Sequence, residues 1–310
     1  MTAPALFLSS GDVLADRRYG RAKAYAAEGD VVAAADLLAQ ALERAPNFAS
    51  AWFALGEIRA QQGDRAGAVA AFRAALAADP PDRHGAALHL ARLGVGDPAA
   101  AMTPGYVRVL FDQYARHFDQ ALVEGLGYRG PTLLREALTA VAAARRRPLR
   151  FGRAVDLGCG TGLVGEALRA CCGTIVGVDL SPAMAATARR KGVYADLAVG
   201  DMVAFIAGQP EGSCDLVVAG DALVYLADLA PVCRAVARAL APDGLFAFTT
   251  ETHAGGGVVL GEKLRYAHGA DHVRAALAAS GLVLFALDPA ATRRESGVPV
   301  PGLVAVAGPR

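Results

Sequence analysis

Gly158, Gly160 and Gly162 alternate at the end of a short apolar run, Ala154–Leu157, whose single acid is Asp156. A strand that feeds a glycine turn and then a helix brings backbone close to a ligand, because glycine has no Cβ in the way. Two ligands fit such a turn. Gly160, Gly162 and Gly165 have the spacing that seats a dinucleotide pyrophosphate on a helix N-terminus. Asp156 argues for the other: a carboxylate there would repel a pyrophosphate and would tolerate a cation. A second apolar run, Gly173–Val178, ends in Asp179, placed to accept hydrogen bonds from a ribose. His253, His268 and His117 are the candidate general bases, with Glu251 as an assistant, should an acceptor have to lose a proton near neutral pH. A histidine in a loop is more often an incidental surface residue.

The elements that position these groups alternate. Strands are predicted at 153–158, 174–179, 196–200, 214–219, 244–250, 282–288 and 302–307. Helices are predicted near 161–171, 182–191, 202–208, 228–240 and 270–280. That pattern gives an α/β protein whose doubly wound, largely parallel sheet carries helices on both faces. Ligands of such sheets bind beyond the carboxyl ends of the strands. Those ends are Asp156–Gly162, Asp179–Ser181, Gly200–Met202, Ala219–Ala222 and Thr250–His253. All five carry an acid, which suits a ligand with a positive charge and a ribose. Thr252–Ala267, with three consecutive glycines, is expected to be a mobile insertion that shapes a pocket.

DLGCGTG followed by VDLSPAM resembles the first two motifs of the class I S-adenosylmethionine-dependent methyltransferases, over roughly Ala154 to Arg310. The resemblance implies a seven-stranded Rossmann-like sheet in the order 3-2-1-4-5-7-6, with the last strand antiparallel. It implies S-adenosylmethionine as cofactor and a small-molecule acceptor that is methylated on oxygen, nitrogen or carbon. It places Gly158, Cys159, Gly160 and Gly162 under the methionine moiety and Asp179 on the ribose. Leu180 and Met184 would flank the adenine, Asp201 and Met202 would meet its amino edge, and Ala219 and Asp221 would border the methyl group. FDQYARHFD at 111–119 is similar to a helix that folds over the cofactor as a lid, with Tyr114 either touching the methionine end or packing in the core. One apolar stripe runs from Tyr106 to Leu126, so a single helix is predicted there, and a second over Gly130–Arg147.

Upstream, a step of 34 residues pairs Gly29 with Gly63, Asp30 with Asp64, Ala34 with Ala68, Leu38 with Phe72, Ala41 with Ala75 and Pro46 with Pro80. The second copy, with Trp52, Leu55, Gly56, Ala68, Phe72, Ala75 and Pro80, resembles the tetratricopeptide repeat. Gly85–Leu93 looks like a capping helix. The expected organisation is a leader at 1–14, repeats at 15–95, a linker at 96–104, a helical lid at 105–150 and the cofactor domain at 151–310. The repeats would dock a protein or peptide partner, join two copies of the chain, or serve as a structural appendage. The whole chain resembles a bacterial group of repeat-containing methyltransferases. The alternative is a repeat-based binding module whose cofactor fold is catalytically idle.

Composition narrows the rest. The 310 residues carry a formal charge of +1, so no global field recruits nucleic acid or an anionic membrane. GDALVYL stands where enzymes that methylate adenine or glutamine amides carry N/D-P-P-Y/F, which also argues against a nucleic-acid substrate. Five cysteines, an odd number without a C-x-x-C pair, predict neither a disulfide framework nor a metal site, and suit the cytoplasm. No apolar run is long enough to span a bilayer.

Overall fold

A computed structural model describes residues 6–115 and 117–310. The chain divides into two compact units, Met1–Val109 and Leu110–Arg310.

The N-terminal unit contains helices α1 (Val13–Ala27), α2 (Val31–Arg44), α3 (Ala49–Gln61), α4 (Arg65–Ala78) and α5 (Ala86–Arg92). The 34-residue echo has a local cause. Gly29 and Gly63 both adopt positive φ, +87° and +78°, and turn the chain between paired helices. Asp30 and Asp64 then cap the next helix by accepting the amides of Ala33 and Gly67. The small residues set the approach of the pair: a Cβ on Gly56 would lie 2.7 Å from the Phe72 ring. Of the expected leader, residues 1–5 lie outside the described residues, while the part that follows is anchored. Leu8 donates its amide to Ser50 Oγ at 2.8 Å, and the Phe7 and Tyr19 rings meet at 5.4 Å.

Helix α6 (Pro104–Tyr114) and a π-type turn (Gln120–Gly125) replace the single helix predicted over Tyr106–Leu126. Along the apolar stripe Val107 is buried and Leu110, Phe111, Tyr114, Phe118, Leu122 and Leu126 are half-buried, and side-chain bonds described below tie the two pieces to different loops. Next come α7 (Gly130–Ala144), β1 (Phe151–Leu157), α8 (Leu163–Leu168), β2 (Cys172–Asp179), α9 (Pro182–Arg190), β3 (Asp196–Val199), α10 (Met202–Ala207) and β4 (Cys214–Ala219). The chain continues through α11 (Ala230–Ala239), β5 (Leu240–Glu251), β6 (Val258–Leu260), β7 (Tyr266–His268), α12 (Ala270–Ala279), β8 (Val283–Pro289), β9 (Arg294–Glu295), β10 (Val298–Pro299) and β11 (Gly302–Gly308).

The main sheet runs β3-β2-β1-β4-β5-β11-β8, the expected order. β11 is antiparallel to both β5 and β8. The link from β8 to β11 is taken up by the paired strands β9 and β10 and contains no crossover helix, so the chain returns antiparallel. Alternation along the strands splits the core: Val155 and Leu157 pack toward α10, α11 and α12, while Ala154, Ile175, Leu216 and Val218 pack toward α7 and α8. The insertion at 252–267 is a correction to the mobile-loop expectation. It forms the hairpin β6–β7, and β7 extends the sheet by pairing with β5 at Glu251 and Ala267. Fully buried Tyr266 pins it.

Candidate functional site

Strand order reverses around β1, which has β2 on one side and β4 on the other. The glycine turn sits at that switch point, where open α/β sheets take their ligands. Gly158 has φ +66°, and a Cβ there would lie 2.6 Å from Cβ of Ala222. Gly162, at φ +93°, occupies the position ahead of α8. The turn is tied to the end of β2: Gly160 donates its amide to Asp179 Oδ2 at 2.8 Å, and Ser181 donates to Oδ1 at 2.8 Å. Asp179 is 8% exposed. Burial raises its carboxyl above the usual range, and the amides of Ser181 and Gly160 pull it back. Met202 brings its terminal methyl to within 3.7 Å of where a Gly158 Cβ would stand. Exposed Asp201 caps α10 through Ala204, and half-buried Leu180 follows Asp179. Gly158, Gly160, Gly162, Asp179, Asp201 and Met202 therefore line the carboxyl edge of the first three strands. Among the described residues no group of three histidines, cysteines or acids could hold a metal.

Other expected contacts move. Asp156 shares the α7–α8 face with Ala154 by strand parity and is fully buried. Tyr194 donates its hydroxyl to Asp156 Oδ2 at 2.6 Å, whereas Oδ1 has no partner within the described structure. Burial pushes this carboxyl up to about 7. Stability has a sign here: the folded protein holds the proton up to about pH 7, while the unfolded chain releases it near 3.8. The contribution of Asp156 to stability should therefore fall as pH rises from about 4 to about 7, by on the order of 4 kcal/mol at 1.36 kcal/mol per pKa unit, and level off above that. Asp156→Asn should remove this slope in urea titrations; an unchanged profile would show that Asp156 does not bind a proton in the folded state.

Cys159 packs against Ala188, Leu197 and Tyr194, and burial raises its thiol; its amide donates to Val178 O and its carbonyl accepts Gly162 N, so the residue serves the turn's own structure. Met184 is fully buried and cannot flank an adenine without moving. Ala219 is likewise buried and offers backbone alone. Asp221, expected beside the methyl group, is committed elsewhere. It adopts φ +52°, a left-handed conformation rare for aspartate, and donates its amide to Thr249 Oγ1. Its carboxylate accepts Thr249, Thr292 and Arg293, the last at 2.7 Å. Arg293, 6% exposed, also meets Glu251 and Glu295, which Arg265 bridges in turn. Burial would lower the Arg293 guanidinium, but Asp221 and Glu251 hold it above its ordinary value. Glu251 is thus an ion-pair partner and not a free assistant base.

The three histidines do not converge on one point. His268 is fully buried, with one ring nitrogen against Thr250 Oγ1 at 2.7 Å and the other against Leu226 O at 2.9 Å. Burial drives it down to about 4, so it is a structural imidazole. His253 folds back on its own loop, within hydrogen-bond distance of Gly255 N and Gly257 O. His117 is exposed on a turn. Half-buried Tyr114 lies at the end of α6. Its neighbour Phe111 packs edge-on against Tyr225 at 5.3 Å and Phe118 at 6.0 Å. Sequence reasoning did not single out Arg293, Thr249, Thr292 or Tyr194, because no local spacing marks them. Asp112 and Asp119 stood in a quoted motif without a role.

Residues 155–248 match the family described as methyltransferase domain, and 19–83 the tetratricopeptide repeat. A ubiquinone biosynthesis O-methyltransferase of Xanthomonas oryzae pv. oryzae is 31% identical over 108 residues, covering 34% of this chain and 45% of that protein. Human methyltransferase-like protein 27 is 34% identical over 147 residues, covering 46% and 57%. The chain thus spans about half the length of the curated relatives it matches. A SAM-dependent methyltransferase of Leishmania major shares the fold, with a TM-score of 0.54 at 16% identity over 71% of this chain and 89% of that one. Sheet order, glycine turn and sequence match agree on a methyltransferase domain over residues 155–248, downstream of a tetratricopeptide-repeat match at 19–83.

Proposed function

We propose that the protein transfers a methyl group from S-adenosylmethionine to a small-molecule acceptor, through an oxygen, nitrogen or carbon nucleophile. The observation that carries this reading is the coupling of Gly160 to Asp179, which fixes a close-approach turn beside a buried carboxylate. The residues present fit the donor. Gly158 lies so close to Ala222 that no side chain fits there, which keeps the turn bare backbone, and Asp179 retains lone pairs for ribose hydroxyls while its amide bonds hold it in place. Asp201 and Met202 stand at the next strand end for the adenine edge. The turn backbone at Gly158–Gly162 supports the methionine portion, with Leu180 beside Asp179.

When bound, the donor supplies a methyl carbon on a sulfonium, an activated leaving group. The chain has to align the nucleophile and exclude water. Asp221, Arg293, Glu251 and Glu295 brace the tips of β4 and β5, so they shape the acceptor side without entering the reaction. His268 is locked by its two hydrogen bonds, which leaves His253 and His117 as the base candidates. The repeats serve assembly or the docking of a partner.

A second reading, a binding module with an idle cofactor fold, draws on the dispersal of the three histidines. Isothermal titration with S-adenosylhomocysteine and transfer of a labelled methyl group into a library of small phenols, amines and carboxylates separate the two. Binding with transfer supports the enzyme, and binding without any transfer supports the module. Absence of binding at millimolar ligand would remove the enzyme and leave the module.

A further inference from the structure

FDQYARHFD contains the pair Phe-Asp twice, as Phe111-Asp112 and Phe118-Asp119. The fold puts both pairs to the same use. Asp112 accepts Ser181 Oγ at 2.6 Å and the Ala183 amide at 3.3 Å, at the loop that follows β2. Asp119 accepts the hydroxyl of Thr161 inside the glycine turn, and pairs at 2.8 Å with Lys191, which also meets Glu166. The two phenylalanines pack together, and Phe111 reaches Tyr225 beyond β4. One segment, Leu110–Leu126, is therefore fastened to three strand ends by two carboxylates and an aromatic cluster. A π-type turn, Gln120–Gly125, follows within it, a winding frequent at functional sites.

We propose that Asp112 and Asp119 form a double latch that closes this strap over the donor loops, and that donor exchange waits on its opening. Both are positioning residues, and the proposal rests on the donor-binding reading above. Latch removal should quicken entry and exit alike, which damage to the site would not do. With tritiated S-adenosylhomocysteine and rapid filtration, Asp112→Ala/Asp119→Ala should raise both the association and the dissociation rate at least about tenfold, the size expected of hydrogen bonds to charged groups. The dissociation constant should stay within about threefold. Asp112→Asn and Asp119→Asn, which keep an acceptor oxygen, should return both rates toward wild type. Thr161→Val, which leaves the Asp119–Lys191 pair intact, should quicken both rates by a smaller factor than Asp119→Ala, and serves where the double variant does not fold.

Hydrogen exchange of amides 110–125 without ligand should also quicken in the alanine variants. This arm tests the latch even if wild type binds no S-adenosylhomocysteine, a result that would refute the donor reading alone. Association at or below the wild-type rate in a folded variant, or unchanged strap exchange, would overturn the proposal.

Discussion

Asp179→Ala is expected to weaken S-adenosylhomocysteine binding by at least about a hundredfold, close to 3 kcal/mol at 1.4 kcal/mol per decade. Two losses combine. The carboxylate is the only acid at the end of β2, so hydrogen bonds to a ribose go with it. It also accepts the amides of Gly160 and Ser181, so its removal frees the glycine turn and leaves two donors seeking water. Asp179→Asn separates the contributions. It keeps one acceptor oxygen for one of the two amides, but presents an NH2 group where the other is fixed. Titration calorimetry on both variants, with circular dichroism to verify folding, reads the result. An affinity within about threefold of wild type in Asp179→Ala would move the ribose elsewhere and take the donor assignment with it.

Arg293→Ala should be the most damaging single change to the C-terminal unit, at about 3–5 kcal/mol, the usual cost of stripping one partner from a buried ion pair. Arg293 is 6% exposed and meets Asp221, Glu251 and Glu295, whose side chains are 16%, 16% and 26% exposed. Removing it leaves Asp221 with threonine partners alone and a left-handed backbone without its clamp. Arg293→Lys should recover only part of the loss, since a point charge cannot fork toward three carboxylates. Urea unfolding followed by far-ultraviolet dichroism checks this through a lowered midpoint at constant slope. A loss under about 1 kcal/mol would mean that solvent already screens the network. Because the same network braces β4 and β5, transfer should fail in this variant at temperatures where donor binding survives.

The sequence by itself determined what depends on near neighbours along the chain. Alternating glycines announced the turn after β1. Apolar runs announced the strands, and the recurrence of Gly-Asp at Gly29 and Gly63 announced the paired helices, because helix caps and close-approach glycines act over a few residues. Asp179 was legible for the same reason, as the polar residue that ends an apolar run. Tertiary structure decided which way each side chain faces and what it meets. Asp156 looked like a ligand contact until strand parity buried it under Tyr194, and Asp221 looked free until Arg293, 72 positions away, claimed it. Asp112 meets Ser181 across 69 positions and Asp119 meets Thr161 across 42. Such partners are joined only by the winding of the sheet, and no local pattern of residues encodes them.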